Sequence, residues 1–132
     1  MTTAIDVVGA VICSNGSVLC AQRGPASRLA GMWEFPGGKV ERGETPREAL
    51  EREIAEELDC AVTVGEQVTV TRHEYDFAPI TLTTFWCTLD LGTPALREHV
   101  DIRWTHSDEL LALEWAPADL PAVDIVLRQL RK

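Results

Sequence analysis

Residues 38–60 contain the feature that most constrains the fold, a glycine loop that runs into a helix dense in carboxylates. Thr45 is a favourable N-cap, Pro46 suits the first helical position, and Glu48 completes a T-x-x-E capping box. Every fourth residue of this helix is apolar, at Leu50, Ile54 and Leu58. That spacing predicts a helix with one buried stripe.

Three carboxylates lie on one flank of this stripe. At about 100° per residue, the angles from the stripe are about 20°, 60° and 120° for Glu57, Glu53 and Glu56. Like charges at this spacing repel, and negative charge near a helix C-terminus opposes the helix dipole. A solvated acidic face is the ordinary interpretation of such a helix. A hard cation would remove both penalties, and the glycine loop and cap favour a magnesium site that also binds phosphate oxygens.

The Nudix hydrolases have a signature that this stretch resembles from its first residue to its last: Gly38-x5-Glu44-x7-Arg52-Glu53-Ile54-x-Glu56-Glu57-x-Asp59-Cys60. One position departs from the pattern, because Asp59 stands where the family has glycine. Asp tolerates left-handed backbone geometry better than most residues, so we expect Asp59 to end the helix at little cost.

Length and composition favour a single domain that spans residues 1–132, since a chain of this size can bury a hydrophobic core without disulfides or a structural metal. The net charge of −9 disfavours a nucleic-acid polymer or an anionic membrane as partner. The four cysteines are widely spaced, with no C-x-x-C pair, and neither a signal peptide nor a spanning apolar run is evident. These features favour reduced thiols and a cytoplasmic location.

Apolar runs and turn signals predict the order of the other elements. Strands are expected at 5–13, 18–22, 32–35, 61–76, 80–90 and 102–104, and helices at 107–113 and 120–130. Ser107 would cap the first of these helices. Periodicity alone supports an α/β class, while the resemblance implies the Nudix fold, an α/β/α sandwich around a mixed β-sheet.

Likeness to the MutT-like branch of the family extends beyond the signature. The segments that carry it are 21–23, 32–40, 97–99, 103–104 and 115–121. The resemblance implies hydrolysis of a nucleoside triphosphate, such as 8-oxo-dGTP or (d)CTP, to the monophosphate and pyrophosphate. Such enzymes sanitise the nucleotide pool and use Mg²⁺, with Mn²⁺ as a substitute.

The same resemblance assigns roles to individual residues. The Mg²⁺ ligands it implies are the carbonyl of Gly37 or Gly38 and the carboxylates of Glu53, Glu56, Glu57 and Glu98. The catalytic residues it implies are Glu53 as general base, Arg52 to orient Glu53, Glu98 as a second residue for the general-base role, and Glu44. The substrate-binding residues are Arg23, Arg28, Glu34, Phe35, Lys39, Phe77 and Asp119. Among these, the cationic side chains would bind the phosphates and the aromatic side chains would line the pocket for the base.

Asp119 is the residue on which the choice of base depends. An Asp just before an amphipathic helix is an ordinary N-cap, whereas the matching position in the MutT-like branch contacts the nucleobase. A carboxylate can accept from the amino group of cytosine or from the N–H edge of a guanine, oxidised or not. The sequence supports both preferences.

Two other functions are compatible with the chain. Tyr75 lies about where the dinucleoside polyphosphate hydrolases of the family carry a tyrosine, while the proline associated with ADP-ribose enzymes is missing there. A Nudix-fold module could also bind nucleotides without cutting them. Such modules usually lose one of the carboxylates of the signature, whereas this chain keeps all four: Glu44, Glu53, Glu56 and Glu57. The sequence does not indicate an oligomeric state.

Overall fold

The computed structural model describes residues 3–95 and 101–131. Within them the elements are β1 (Ile5–Ser14), β2 (Ser17–Gln22), β3 (Trp33–Glu34), β4 (Gly37–Lys39), α1 (Pro46–Leu58), β5 (Ala61–Glu74), β6 (Pro79–Leu91), β7 (Asp101–His106), 3-10 helices at Ser107–Ala112 and Pro117–Asp119, and α2 (Leu120–Leu130). The predicted elements are all present, and the short strand β4 lies outside the predictions.

The strands form a mixed sheet with the order β3-β2-β1-β6-β5, and β4 and β7 pair with β1 and β2. Strands β1 and β6 run parallel, whereas the other pairs are antiparallel. In the β1–β4 pair, Val8 lies opposite Gly38. This pairing fixes the glycine loop against the central strand just before α1 begins.

Two hydrophobic cores cover the two faces of the sheet. One contains the stripe of α1 and residues such as Ile12 and Phe85. The other contains the buried side of α2 and residues such as Val11 and Trp33. Successive residues of β1 therefore serve opposite cores, as expected for a strand buried on both faces. The α/β/α sandwich is confirmed.

Helix α1 begins and ends as its sequence predicts. The Thr45 side chain accepts from the Glu48 backbone N–H, and the Glu48 carboxylate accepts from the Thr45 N–H, which completes the capping box. The helix ends at Asp59, whose φ of 52° and ψ of 42° are left-handed. The substitution of aspartate for the family glycine is therefore accommodated in the geometry that the glycine would adopt.

One predicted cap is wrong. His106, and not Ser107, caps the segment that follows β7, since its ring accepts from the Asp108 N–H. Ser107 is the first residue of that segment, which is a 3-10 helix. The four cysteines are free thiols, as predicted. None of the helices in the described ranges is long and apolar enough to cross a membrane.

Candidate active site

A cleft of about 370 Å³ opens beside the glycine loop. It is lined by all seven predicted substrate-binding residues and by both glycines of the loop: Arg23, Arg28, Glu34, Phe35, Gly37, Gly38, Lys39, Phe77 and Asp119. These residues come from five separate segments of the chain, which the sheet brings to one place. The volume is within the range of small-molecule sites, and the lining combines an apolar wall with a few charged groups.

The glycine loop leaves room for a catalytic carboxylate. A Cβ atom at Gly38 would lie 2.2 Å from Oε2 of Glu53, so the Glu53 carboxylate fills the space that a side chain would take. A Cβ atom at Gly37 would lie 1.9 Å from the backbone oxygen of Val8. The first glycine therefore permits the strand pairing, and the second permits the approach of Glu53 to the cleft.

Arg52 is the centre of an ion-pair network. It binds Glu44 through two hydrogen bonds, with Nε–Oε2 at 2.7 Å and Nη2–Oε1 at 2.9 Å. Its Nη1 donates to Glu53 at 2.8 Å and to Glu56 at 3.3 Å, and Nη2 also donates to the Lys39 carbonyl. The Arg52 hydrogen bond holds the pKa of Glu44 below its usual value. Because the Arg52 guanidinium is held by Glu44 and also donates to Glu53, it fixes the direction in which the Glu53 carboxylate points.

The donor set suits a hard divalent cation. Glu53, Glu56 and Glu57 offer oxygen ligands on one flank of α1, and the Oε2 atom of Glu57 is buried. Within 3–95 and 101–131, no three acidic, histidine or cysteine side chains converge at metal-binding distance. Arg52 instead bonds two of the predicted ligands. Glu98, the distant ligand expected from the sequence, lies outside the described residues.

Asp119 does not cap α2. Its side chain makes no capping hydrogen bond, and Oδ2 accepts from the backbone N–H of Phe35 at 3.0 Å. The residue is only 5% exposed. Burial, together with the nearby charge of Glu34, raises its pKa well above the usual value for aspartate. A buried carboxyl that lines a cleft and is anchored by one oxygen can present its other oxygen to a ligand.

Four of the other predicted cleft residues contact one another: Arg23, Arg28, Glu34 and Phe77. Arg23 donates to the Glu34 carboxylate at 2.9 Å and to the Arg28 carbonyl at 2.6 Å. The guanidinium of Arg28 lies 4.6 Å from the centroid of the Phe77 ring. Phe35 is nearly buried, and its ring packs against Trp115. Phe35 therefore contributes to the core as well as to the cleft wall.

Tyr75 is a cleft residue that is missing from the predicted substrate-binding set. The sequence suggested it only as the tyrosine of dinucleoside polyphosphate hydrolases. Tyr75 follows β5 and lines the cleft, where its hydroxyl accepts from the Ala118 N–H at 2.8 Å. The hydrogen-bond partner of the Tyr75 hydroxyl, Ala118, is 43 residues away in the chain. No local signal identifies that partner.

An α/β/α sandwich with a glycine loop that leads into a carboxylate-rich helix is the arrangement that the Nudix signature predicts. A family model described as NUDIX domain matches residues 7–124, and the chain belongs to the Nudix family as a MutT-like member.

Similar proteins agree with this membership. The chain is 43% identical over 121 residues to the CTP pyrophosphohydrolase of Escherichia coli K12, covering 91% of this chain and 89% of that protein. It is 39% identical over 126 residues to the putative 8-oxo-dGTP diphosphatase 2 of Mycobacterium tuberculosis H37Rv, covering 90% and 84%. The solution structure of MutT, a Nudix hydrolase from methicillin-resistant Staphylococcus aureus 252, has a TM-score of 0.81 at 51% identity, covering 98% and 99%. The chain is thus a hydrolase of the Nudix class.

Proposed function

We propose that this protein is a Mg²⁺-dependent pyrophosphohydrolase that cuts nucleoside triphosphates, (d)CTP or 8-oxo-dGTP, to the monophosphate and pyrophosphate. The observation that carries the proposal is a cleft that Asp119 lines together with Lys39 and Gly38, the glycine against which the Glu53 carboxylate lies. A nucleotide needs both kinds of group, a hydrogen-bonding partner for its base and cationic partners for its phosphates. The relatives named for CTP and for 8-oxo-dGTP support the same substrate class.

The metal would be held by residues of α1 and the glycine loop. Glu53, Glu56 and Glu57 would supply carboxylate oxygens, the carbonyl of Gly37 or Gly38 would add another, and Glu98 would join from outside the described residues. When bound, Mg²⁺ supplies charge that polarises phosphate oxygens and lowers the pKa of water. The lack of a side chain at Gly38 supports this placement, because the Glu53 carboxylate lies against this glycine, which lines the cleft.

Glu53 is proposed as the general base. Its carboxylate is 13% exposed, and Arg52 holds one of its oxygens at 2.8 Å. The other oxygen points to the space beside Gly38, from which it can take a proton from an attacking water. Glu44 has no direct part in this step and acts by anchoring Arg52 with two hydrogen bonds.

The phosphates would be bound by Lys39 and Arg23. Lys39 is exposed at the cleft wall, next to the glycine loop. Arg23 carries an ion pair to Glu34, which stabilises its position beside the cleft. In a protein of net charge −9, cations placed in the cleft offset the repulsion that a triphosphate would otherwise meet.

A panel of triphosphates with saturating Mg²⁺ tests the proposal. CTP, dCTP, 8-oxo-dGTP, dGTP and UTP should be compared by kcat/KM, and the released product should be identified. We expect pyrophosphate as the product and a preference for a cytosine or 8-oxoguanine nucleotide. Release of orthophosphate would contradict the cleavage position, and no turnover of any triphosphate would refute the proposed class of substrate.

A further inference from the structure

Tyr75 has a hydroxyl group that is held in the cleft, within electrostatic reach of Asp119. Its ring packs with two neighbours, Phe77 at 5.1 Å with an interplanar angle of 8° and His73 at 4.4 Å. The oxygen accepts from the Ala118 N–H at 2.8 Å. These contacts fix both the ring and its polar tip, so the hydroxyl is positioned before any ligand arrives.

The hydroxyl proton has a defined use. A phenol has one proton and can also accept, and the contact with Ala118 uses only the accepting side. Within 3–95 and 101–131, the structure gives this proton no acceptor. Burial raises the pKa of Tyr75 above its usual 10, and the charges of Asp119 and Glu34 raise it further. The group therefore stays a hydrogen-bond donor across the physiological range.

Asp119 lies next to Ala118 in the chain and lines the same cleft. One of its oxygens is used by the Phe35 N–H, which leaves the other for a ligand. A fixed donor beside a fixed acceptor matches a base edge on which an acceptor lies beside an N–H group. Cytosine has such an edge, in ring nitrogen N3 and the exocyclic amino group.

We propose that the Tyr75 hydroxyl reads the base, donating to N3 of cytosine while Asp119 accepts from the neighbouring amino group. This inference rests on the proposed function, because it needs a nucleotide whose base enters the cleft. It assigns the tyrosine to specificity and gives it no part in the chemical step. The 43% identity to a CTP pyrophosphohydrolase supports the choice of cytosine.

The test combines Tyr75→Phe with a CTP analogue in which CH replaces ring nitrogen N3. Phenylalanine keeps the ring and its packing but removes the hydroxyl. We expect the variant to lower kcat/KM for CTP about tenfold, a change of about 1.4 kcal/mol. For the analogue, which has no acceptor to lose, wild type and variant should agree within about twofold, as a base contact requires.

A structural role predicts a different result. If Tyr75 only supports the Pro117–Asp119 segment through Ala118, the variant lowers kcat/KM for both substrates by the same factor, and the inference is wrong. It is equally wrong if the variant lowers neither, or if wild type cleaves 8-oxo-dGTP and leaves CTP intact. Absence of turnover for every triphosphate overturns the proposed function itself, so the two failures are distinct.

A binding measurement needs no turnover. Tyr75 is the only tyrosine of the chain, so ¹³C labelling of tyrosine Cζ gives one resonance for this site. Addition of CMP should shift that resonance, and addition of the corresponding monophosphate without N3 should not. Equal shifts with the two ligands would contradict a hydrogen bond to N3.

Discussion

Replacement of Asp119 by asparagine separates stability from base recognition. The side chain is buried, and its Oδ2 accepts from the Phe35 N–H at 3.0 Å. Asparagine has the same shape and retains one oxygen, which can keep that hydrogen bond. The variant therefore removes the ionisable group while leaving the anchor between the Pro117–Asp119 segment and the cleft wall intact.

The sign of the stability change follows from the raised pKa. An aspartate whose pKa in the folded protein exceeds its usual 3.8 binds its proton more tightly when folded. Its contribution to stability is complete below pH 3.8 and is lost as the pH rises through the folded pKa. Each pKa unit between the two values corresponds to about 1.4 kcal/mol. Asparagine does not titrate, so Asp119→Asn should be more stable than wild type at neutral pH.

Thermal unfolding between pH 4 and pH 8 measures this difference. We expect the Tm advantage of Asp119→Asn to be near zero at the acidic end and to grow with pH until the folded carboxyl is ionised. Asp119→Ala is the control, since it removes the acceptor of the Phe35 N–H as well. That loss should cost about 1–3 kcal/mol at all pH values.

The same variant tests base recognition. The asparagine amide has an NH₂ donor, which would face the amino group of cytosine, also a donor, and weaken its binding. The kcat/KM ratio between dCTP and 8-oxo-dGTP should therefore change about tenfold, or about 1.4 kcal/mol. An unchanged ratio would exclude Asp119 from base selection. A wild type that is more stable than Asp119→Asn at neutral pH would refute the argument from the buried carboxyl.

Three other perturbations give distinct outcomes. Gly38→Ala should push the Glu53 carboxylate out of the position in which Arg52 holds it and lower kcat at least about tenfold, with little change in Tm because only the end of a side chain must move. Gly37→Ala would instead meet the Val8 backbone oxygen at 1.9 Å and should cost about 1–3 kcal/mol of unfolding free energy. Equal Tm losses for the two alanine variants would contradict this division. Glu57→Gln should abolish most Mg²⁺-dependent turnover while the metal-free fold survives, and full activity in excess chelator would refute the metal requirement. Thr45→Ala removes the cap of α1 and should cost about 1 kcal/mol in chemical denaturation while kcat is unchanged.

The sequence determined those features that depend on neighbours along the chain. The capping box at Thr45, the buried stripe of α1 and the left-handed end at Asp59 were all predictable, because each depends on residues no more than four positions from the next. The flank of carboxylates followed from the same helical spacing. The position of β1 was also predictable, since it is a nearly continuous apolar run, as expected for a strand buried on both faces of the sheet.

Tertiary structure decided which groups meet in the cleft. The sequence allowed Asp119 to be a helix cap or a base contact, and the fold turned its carboxyl toward the Phe35 N–H, 84 residues away. The fold likewise paired Gly38 with Val8 and joined the Tyr75 hydroxyl to Ala118. Each of these is a hydrogen bond between distant segments. Its partner is set by the register and packing of the sheet, which local spacing does not encode.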